Sequence, residues 1–285
     1  MPKDKNSEKI CVVGAGLMGS GIAHAFASAG FNTSLVDTNA GTLRRAAAAI
    51  EKILSDGVEL GKVEPSAAAS AMLRLRPVED LAQGAADADL VIETVVEDLS
   101  VKRGVVATAS QVMQTGGVIA TNTSALSVTE IARGASDTGR IIGMHFFNPV
   151  HKMKLVEIVL GLETNERALT LIKEYCAAIG KVSIVVNETP GLTTSRMSAM
   201  AGNEAMYMLM EGAASAEDID TAMRLGFNHP MGPLELGDLT GWDTRLSVLK
   251  YLHATLGDKF RPCPLIAKMV AAGRLGRKTG AGVYV

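Results

Sequence analysis

Residues 12–30 read VVGAGLMGSGIAHAFASAG, and three of their glycines, Gly14, Gly16 and Gly19, stand between an apolar β-branched run and an alanine-rich helical stretch. No other segment restricts the fold as much. A strand that turns at once into a helix needs a residue without Cβ at the turn, which Gly14 supplies. Gly16 lets the backbone approach a bound anion closely, and Gly19 lets the helix press against the strand. The helix N-terminus then offers unpaired N–H groups and the positive end of its dipole to phosphate.

Such a pattern is weak in isolation. Here it has its strand, its helix and an acidic residue, Asp37, ending the next strand-like run roughly twenty residues on, and these complete a dinucleotide-binding unit. Asp37 is placed to accept from both ribose hydroxyls and to repel a 2′-phosphate. No arginine follows it directly, which favours NAD over NADP, although Arg44 and Arg45 weigh the other way. FAD is the main competing cofactor, but the chain is short for an FAD domain plus a substrate domain. The expected cofactor contacts in this region are Gly14, Gly16, Leu17, Met18, Gly19 and Asp37.

Strand-like runs at 9–15, 32–37, 73–78, 89–95, 117–124 and 140–147 alternate with helix patterns at 17–29, 41–56, 65–73, 98–113 and 127–133. That alternation predicts βαβ units: an α/β, Rossmann-like, doubly wound and mostly parallel sheet. Between 38 and 72 two helix patterns, broken at DGVELGKVEP, predict a helical hairpin inserted into the sheet domain. After 140 the rhythm changes. RIIGMHFF and KLVEIV (154–159) lie six residues apart, which is hairpin length and too short for a parallel crossover. A further run, KVSIVV (181–186), follows the helix pattern at 165–179. Beyond NETPG (187–191) only helix patterns remain, rich in Met, Leu and Ala. The expected domains are 1–188, binding NAD, and an all-helical 189–285, which is expected to pair with a second copy as a homodimer.

The totals narrow the partners. A formal net charge of −2 over 285 residues gives no basic field for nucleic acid or an anionic membrane. Cys11, Cys176 and Cys263 lie far apart without CxxC spacing, as expected of reduced thiols and not of a disulfide framework or zinc site. The five histidines show no ligand spacing, so no metal is expected. The N-terminal MPKDKNSEK is polar, and no run approaches the roughly 18 apolar residues of a membrane span. A soluble, cytoplasmic protein is expected.

Ligands of doubly wound sheets bind outside the C-terminal ends of the strands. The polar residues at those ends are Glu93, Glu97 and Lys102, then Asn122, Thr123 and Ser124, then His145 and Asn148. Asn122 is expected on the cofactor side and Asn148 on the substrate side. His145 alone reads as a core histidine bonded to backbone. Glu157, in the middle of KLVEIV, changes the balance, because a buried carboxylate needs a partner. An imidazole serves, and the pair then has chemistry: the carboxylate fixes the tautomer and stabilises the imidazolium, so the second ring nitrogen works as a base near neutral pH. The condition is register. His145 must stand opposite Glu157 or an even number of positions off, since a one-residue slip sends the carboxylate to the other face. Ser124 reads equally as a hydroxyl for a substrate oxygen or as the cap of the helix starting in SVTEIA. His151, beside Lys152 and Lys154, reads as a solvated loop residue, with a rival base as the alternative. His24 reads as helix packing and His229 as turn structure.

The stretches VGAGLMGSGIA, DLVIETVVEDLSVK, TNTSALSVTEIA, GMHFFNPV, MKLVEIV, NHPMGPLELGDLTG and LGRKTGAGVYV resemble the L-3-hydroxyacyl-CoA dehydrogenase family over nearly the whole chain, in particular the bacterial 3-hydroxybutyryl-CoA dehydrogenases. The resemblance implies NAD-dependent, reversible oxidation of an L-3-hydroxyacyl-CoA to the 3-ketoacyl-CoA, with short chains expected, and a C-terminal domain that dimerises. By motif it implies His145 as general base, Glu157 as its partner and Ser124 as the hydroxyl at the substrate's C3 oxygen. Glu97 and Lys102 resemble the cofactor-side pair, and Lys62 a contact to CoA.

Two departures bear on substrate preference. PGLTTSR puts Ser195 where the family commonly has an Asn that helps hold the substrate carbonyl, with Asn203 as a candidate substitute. NPVHKMK places His151 and Lys152 near the site mouth. Two other readings stand beside this one: a dehydrogenase of a free hydroxy acid such as a sugar acid or carnitine, and a non-catalytic NAD-binding protein.

Overall fold

The computed structural model describes Lys5 and residues 7–284; residues 1–4 and 6, within the polar N-terminal stretch, and 285, which ends LGRKTGAGVYV, lie outside the described part. The backbone divides into two compact units, Met1–Glu188 and Thr189–Val285.

The first unit runs β1 (Lys9–Val13), α1 (Leu17–Ser28), β2 (Asn32–Val36), α2 (Ala40–Glu59), α3 (Pro65–Arg74), β3 (Leu75–Val78), α4 (Leu81–Ala85), β4 (Leu90–Glu93), α5 (Leu99–Val112), β5 (Val118–Thr121), α6 (Val128–Ala132), β6 (Ile141–Phe146), β7 (Leu155–Leu160), α7 (Glu166–Ala178) and β8 (Val182–Asn187). Its strands form one eight-stranded sheet in the order β3-β2-β1-β4-β5-β6-β7-β8. All neighbours are parallel except β6 and β7. This is the Rossmann-like, mostly parallel sheet expected. β4, β5 and β6 are buried along their whole length, as strands covered on both faces must be.

Local chemistry sets the helix ends. Asn39 accepts from Thr42 N at the start of α2, and Pro65 opens α3. These two helices are the inserted hairpin, and its inner side is core: Leu43, Ala46, Ile50, Leu54 and Ala71 share one cluster with Ile22, Ala23 and Phe26 of α1. Only α4 goes unread in the sequence, because five residues are too few to show a helical period. Strand ends also fall short of the sequence runs. β5 stops at Thr121, so Asn122, Thr123 and Ser124 lie in the loop beyond the sheet.

Ile142, Met144 and Phe146 of β6, with Val156 and Ile158 of β7, join the cluster that contains α1. Alternation along a strand sends the intervening His145 and Glu157 to the opposite face.

The second unit consists of α8 (Thr194–Glu211), α9 (Ala216–Gly226), α10 (Pro233–Thr240), α11 (Trp242–Leu256) and α12 (Pro264–Ala271) with short 3-10 turns. Its core gathers Met206, Ile219, Leu234, Trp242, Leu249, Leu252 and Phe260. Cys11, Cys176 and Cys263 are buried and free. Among the described residues no helix is long and apolar enough to cross a membrane.

Candidate active site

The glycine turn has three distinct physical demands. Gly14 has φ +97°, and a Cβ there would lie 2.9 Å from Thr94 O. A Cβ on Gly19 would lie 1.7 Å from Gly14 O and 2.7 Å from Thr94 Oγ1, so the helix could not close on the strand. Around Gly16 nothing stands within 4 Å of the same position: the space is open. Gly16 also begins α1 without a side-chain cap and without an acid in the first turn, so that helix end remains available to an anion. Thr94, unread in the sequence, braces the turn by directing its hydroxyl at Val13 O and Gly14 O, each at 2.9 Å.

Asp37 directly follows β2 and is half-buried. It accepts from Ala15 N at 3.0 Å and from Asn39 N at 2.9 Å, which ties the glycine turn to the start of α2. Beside it a pocket of about 480 Å³ is lined by Ala40, Leu43, Ala47, Pro77 and Val78 together with the polar Arg44, Glu79, Asp80 and Gln83. A pocket with this apolar side, next to the Asp37 carboxylate, can take the flat base of a dinucleotide. These residues come from segments far apart in sequence, and only the parallel pairing of β2 with β3 brings them together. The open space at Gly16, the uncapped helix end, Asp37 and this pocket fit NAD.

His145 and Glu157 are direct partners across β6 and β7. His145 Nδ1 lies 2.8 Å from Glu157 Oε2, with the glutamate 0% and the histidine 8% exposed. The register condition set by the sequence holds. With Nδ1 held by the carboxylate, Nε2 is the nitrogen left for proton exchange. The Phe147 ring packs 4.7 Å from the imidazole, and Asn122 Oδ1 accepts from Phe146 N at 2.8 Å. Asn122 thus binds the end of β5 to the end of β6.

Ser124 is exposed in the loop after β5. The cap of α6 is Ser127, whose hydroxyl accepts from Glu130 N at 3.0 Å, so the capping alternative for Ser124 falls away. Glu97 organises this loop. Its Oε1 accepts from Thr123 Oγ1 at 2.5 Å, Ser124 N at 3.1 Å and Ala125 N at 3.3 Å. Burial pushes the Glu97 carboxyl up, yet the Thr123 hydroxyl and the Lys102 ammonium outweigh it and hold the group below the usual carboxylate range.

Lys102, expected beside Glu97 on the cofactor side, lies next to Glu97 but is buried. It is 1% exposed, and its ammonium lies 2.9 and 3.1 Å from the two oxygens of Glu93 and 3.2 Å from Glu97 Oε2. Two carboxylates draw it inward. Leu17 is exposed beside the glycine turn and Met18 packs partly against the core.

The remaining candidates stand at other points of the chain. Asn148 is exposed after β6, before Pro149. Lys62 is exposed in the turn between α2 and α3. Ser195 stands in the first turn of α8, in the second unit. Asn203 is not a substitute substrate contact: 6% exposed, it donates Nδ2 to Arg261 O at 2.9 Å and accepts Cys263 N at 2.8 Å on Oδ1. Its amide is engaged at both ends within the second unit. His151 is exposed, with its ring 6.3 Å from that of His24.

A doubly wound sheet with a dinucleotide cradle and a buried imidazole–carboxylate pair is the architecture of a pyridine-nucleotide dehydrogenase. Residues 9–189 match the family model described as the 3-hydroxyacyl-CoA dehydrogenase NAD binding domain, and residues 191–285 match the C-terminal domain of the same family. The chain belongs to the 3-hydroxyacyl-CoA dehydrogenase family. A 3-hydroxybutyryl-CoA dehydrogenase of Bradyrhizobium diazoefficiens is 43% identical over 278 residues, 97% of this chain and 94% of its own. A probable 3-hydroxybutyryl-CoA dehydrogenase of Bacillus subtilis is 42% identical over 278 residues, covering 97% and 96%. The crystal structure of (S)-3-hydroxybutyryl-CoA dehydrogenase from Ralstonia eutropha matches with a TM-score of 0.94 at 39% identity over 98% of both chains.

Proposed function

We propose that this chain oxidises a short-chain L-3-hydroxyacyl-CoA reversibly with NAD, the pair being 3-hydroxybutyryl-CoA and acetoacetyl-CoA. The observation that carries the reading is the buried His145–Glu157 contact at 2.8 Å, joined through Asn122 to the loop that bears Ser124. Relatives named for 3-hydroxybutyryl-CoA support the substrate class.

NAD, held by Gly14, Gly16, Leu17, Met18, Gly19, Asp37 and Asn122, supplies the hydride acceptor. Glu97 faces the cofactor, and Lys102 serves that side by holding Glu97. His145 Nε2 takes the proton of the C3 hydroxyl, and in the reverse direction the imidazolium returns it to the 3-keto oxygen. Glu157 stabilises that imidazolium, and Ser124 orients the same oxygen. General acid–base help of this kind contributes roughly 10²–10⁴-fold. Lys62 meets the CoA, Asn148 the acyl portion, and Ser195 takes the place of the family's carbonyl-binding Asn.

Residues 1–188 form the NAD-binding domain, and 189–285 form the substrate and dimerisation domain. Exposed Met197, Met210, Leu225 and Phe227 in the second unit favour such a homodimer. Buried free thiols favour a cytoplasmic setting.

Steady-state kinetics with acetoacetyl-CoA and its longer 3-ketoacyl homologues, using NADH and NADPH in parallel, test the reading. The four-carbon ester with NADH is expected to give the highest kcat/KM. Turnover of free hydroxy acids with none on any acyl-CoA would sink it.

A further inference from the structure

Glu93 has no part in the reaction set out above, and its placement is unusual. It ends β4, is 0% exposed, and both of its oxygens are engaged. Lys102 Nζ lies on each of them at 2.9 and 3.1 Å, Thr121 Oγ1 donates to Oε2 at 2.6 Å, and Val95 N donates to Oε1 at 2.7 Å. A buried ion pair is a poor source of stability, because desolvation of two charges cancels most of their attraction and apolar residues of similar volume do as well or better. What a fully bonded pair does supply is direction.

That direction leads toward the reacting end of the sheet. With two contacts on Glu93, the Lys102 ammonium has a fixed position from which it meets Glu97 Oε2 at 3.2 Å. Glu97, held at that oxygen, turns the other to the three donors of residues 123–125. Thr121, the last residue of β5, is held by Glu93 itself. The loop carrying Ser124 is therefore held at its entry, Thr121, and around the serine itself, residues 123–125, by one chain of contacts that starts at Glu93. We propose that Glu93 is a positioning residue, acting through Lys102 and Glu97 to hold the Ser124 hydroxyl in its reactive place. This rests on the role given to Ser124 under the proposed function.

The single substitution Glu93→Gln leaves Lys102 as a buried charge with half its partners and is expected to weaken the fold. The double variant Glu93→Gln/Lys102→Met removes both charges at nearly constant volume. It is expected to unfold at a temperature close to that of the parent protein. A structural role would then be fully restored. A positioning role would not: kcat and kcat/KM for acetoacetyl-CoA are expected to fall together by roughly ten- to hundredfold, the scale of a misplaced reacting group, when normalised to the folded fraction measured by circular dichroism.

A cycle with Ser124→Ala identifies the route. If Glu93 acts through Ser124, adding Glu93→Gln/Lys102→Met to Ser124→Ala causes little further loss. Parental kcat in the folded double variant, or losses that multiply in full with Ser124→Ala, overturn the inference. A parent protein that reduces no 3-ketoacyl-CoA overturns the functional reading itself, and this inference with it.

Discussion

The His145 imidazole and the Glu157 carboxylate face one another across a single antiparallel pair, Nδ1 to Oε2 at 2.8 Å, with the acid sealed from solvent. One ring nitrogen is tied to the interior of the sheet, and the other is left to exchange a proton. The arrangement explains how a strand as apolar as LVEIVL tolerates a glutamate at its centre: the buried carboxylate has the imidazole as its hydrogen-bond partner.

His145→Gln removes the proposed base and Glu157→Gln the charge proposed to steady it. Turnover of acetoacetyl-CoA with NADH is expected to fall by roughly 10²–10⁴-fold in His145→Gln and strongly in Glu157→Gln. NADH binding, followed by fluorescence titration, stays near that of the parent because neither residue touches the glycine turn. Turnover near the parental rate in either variant rejects the assigned role.

Gly16 and Gly19 separate binding from folding. Gly19→Ala puts a methyl 1.7 Å from Gly14 O, an overpacking expected to cost about 3 kcal/mol or more. Gly16→Ala meets no protein atom within 4 Å, and the residue's φ of −71° suits alanine. It is expected to keep the parental melting temperature while NADH affinity drops by roughly tenfold, about 1.4 kcal/mol. Calorimetry and NADH titration on both variants check the contrast, and equal affinity in Gly16→Ala rules out a phosphate at that spot.

His24 introduces an acid-sensitive element. Its Nδ1 is buried without a hydrogen-bond partner among the described residues. Burial, followed by the charges of His151 and Lys181, pushes its pKa down to about 4. An unfolded histidine titrates near 6.5. Below that pH the unfolded chain takes up a proton that the folded one refuses, so this site removes stability as pH falls from about 6.5 to about 4 and has no effect above. The loss is on the order of 2 kcal/mol. His24→Leu abolishes it, and urea unfolding at pH 7 and pH 4.5 is expected to show the variant gaining on the parent only at the lower pH. A constant difference between the two contradicts this account.

Asn203 is expected to matter for folding and not for substrate. Asn203→Ala leaves the buried Cys263 N and the part-buried Arg261 O without this partner, a loss of roughly 1–3 kcal/mol. Unfolding by urea measures the loss, and KM for acetoacetyl-CoA in the folded protein stays at the parental value. A raised KM at unchanged stability restores Asn203 as a substrate contact.

Residues that act over a few positions could be read directly. The jobs of Gly14, Gly16 and Gly19, the helical hairpin between the second and third strands, and the short hairpin after residue 140 all follow from turn chemistry and hydrophobic period, which need only near neighbours. Glu157 too was legible, because a carboxylate in an apolar strand announces a partner somewhere.

Which partner each group obtains is another matter, since it depends on strands and helices distant in the chain. Whether His145 meets Glu157 depends on a register that slides by one residue at no local cost. Lys102 looks like an open lysine of a helix until Glu93 and Glu97 surround it, and Asn203 a polar contact until Arg261 and Cys263 take both ends of its amide. Ser124 could cap the following helix until the loop geometry gives that task to Ser127. Short-range forces choose the elements, while the allocation of buried charges and hydrogen bonds waits for long-range pairing, because only then does water leave and an unmatched group become costly.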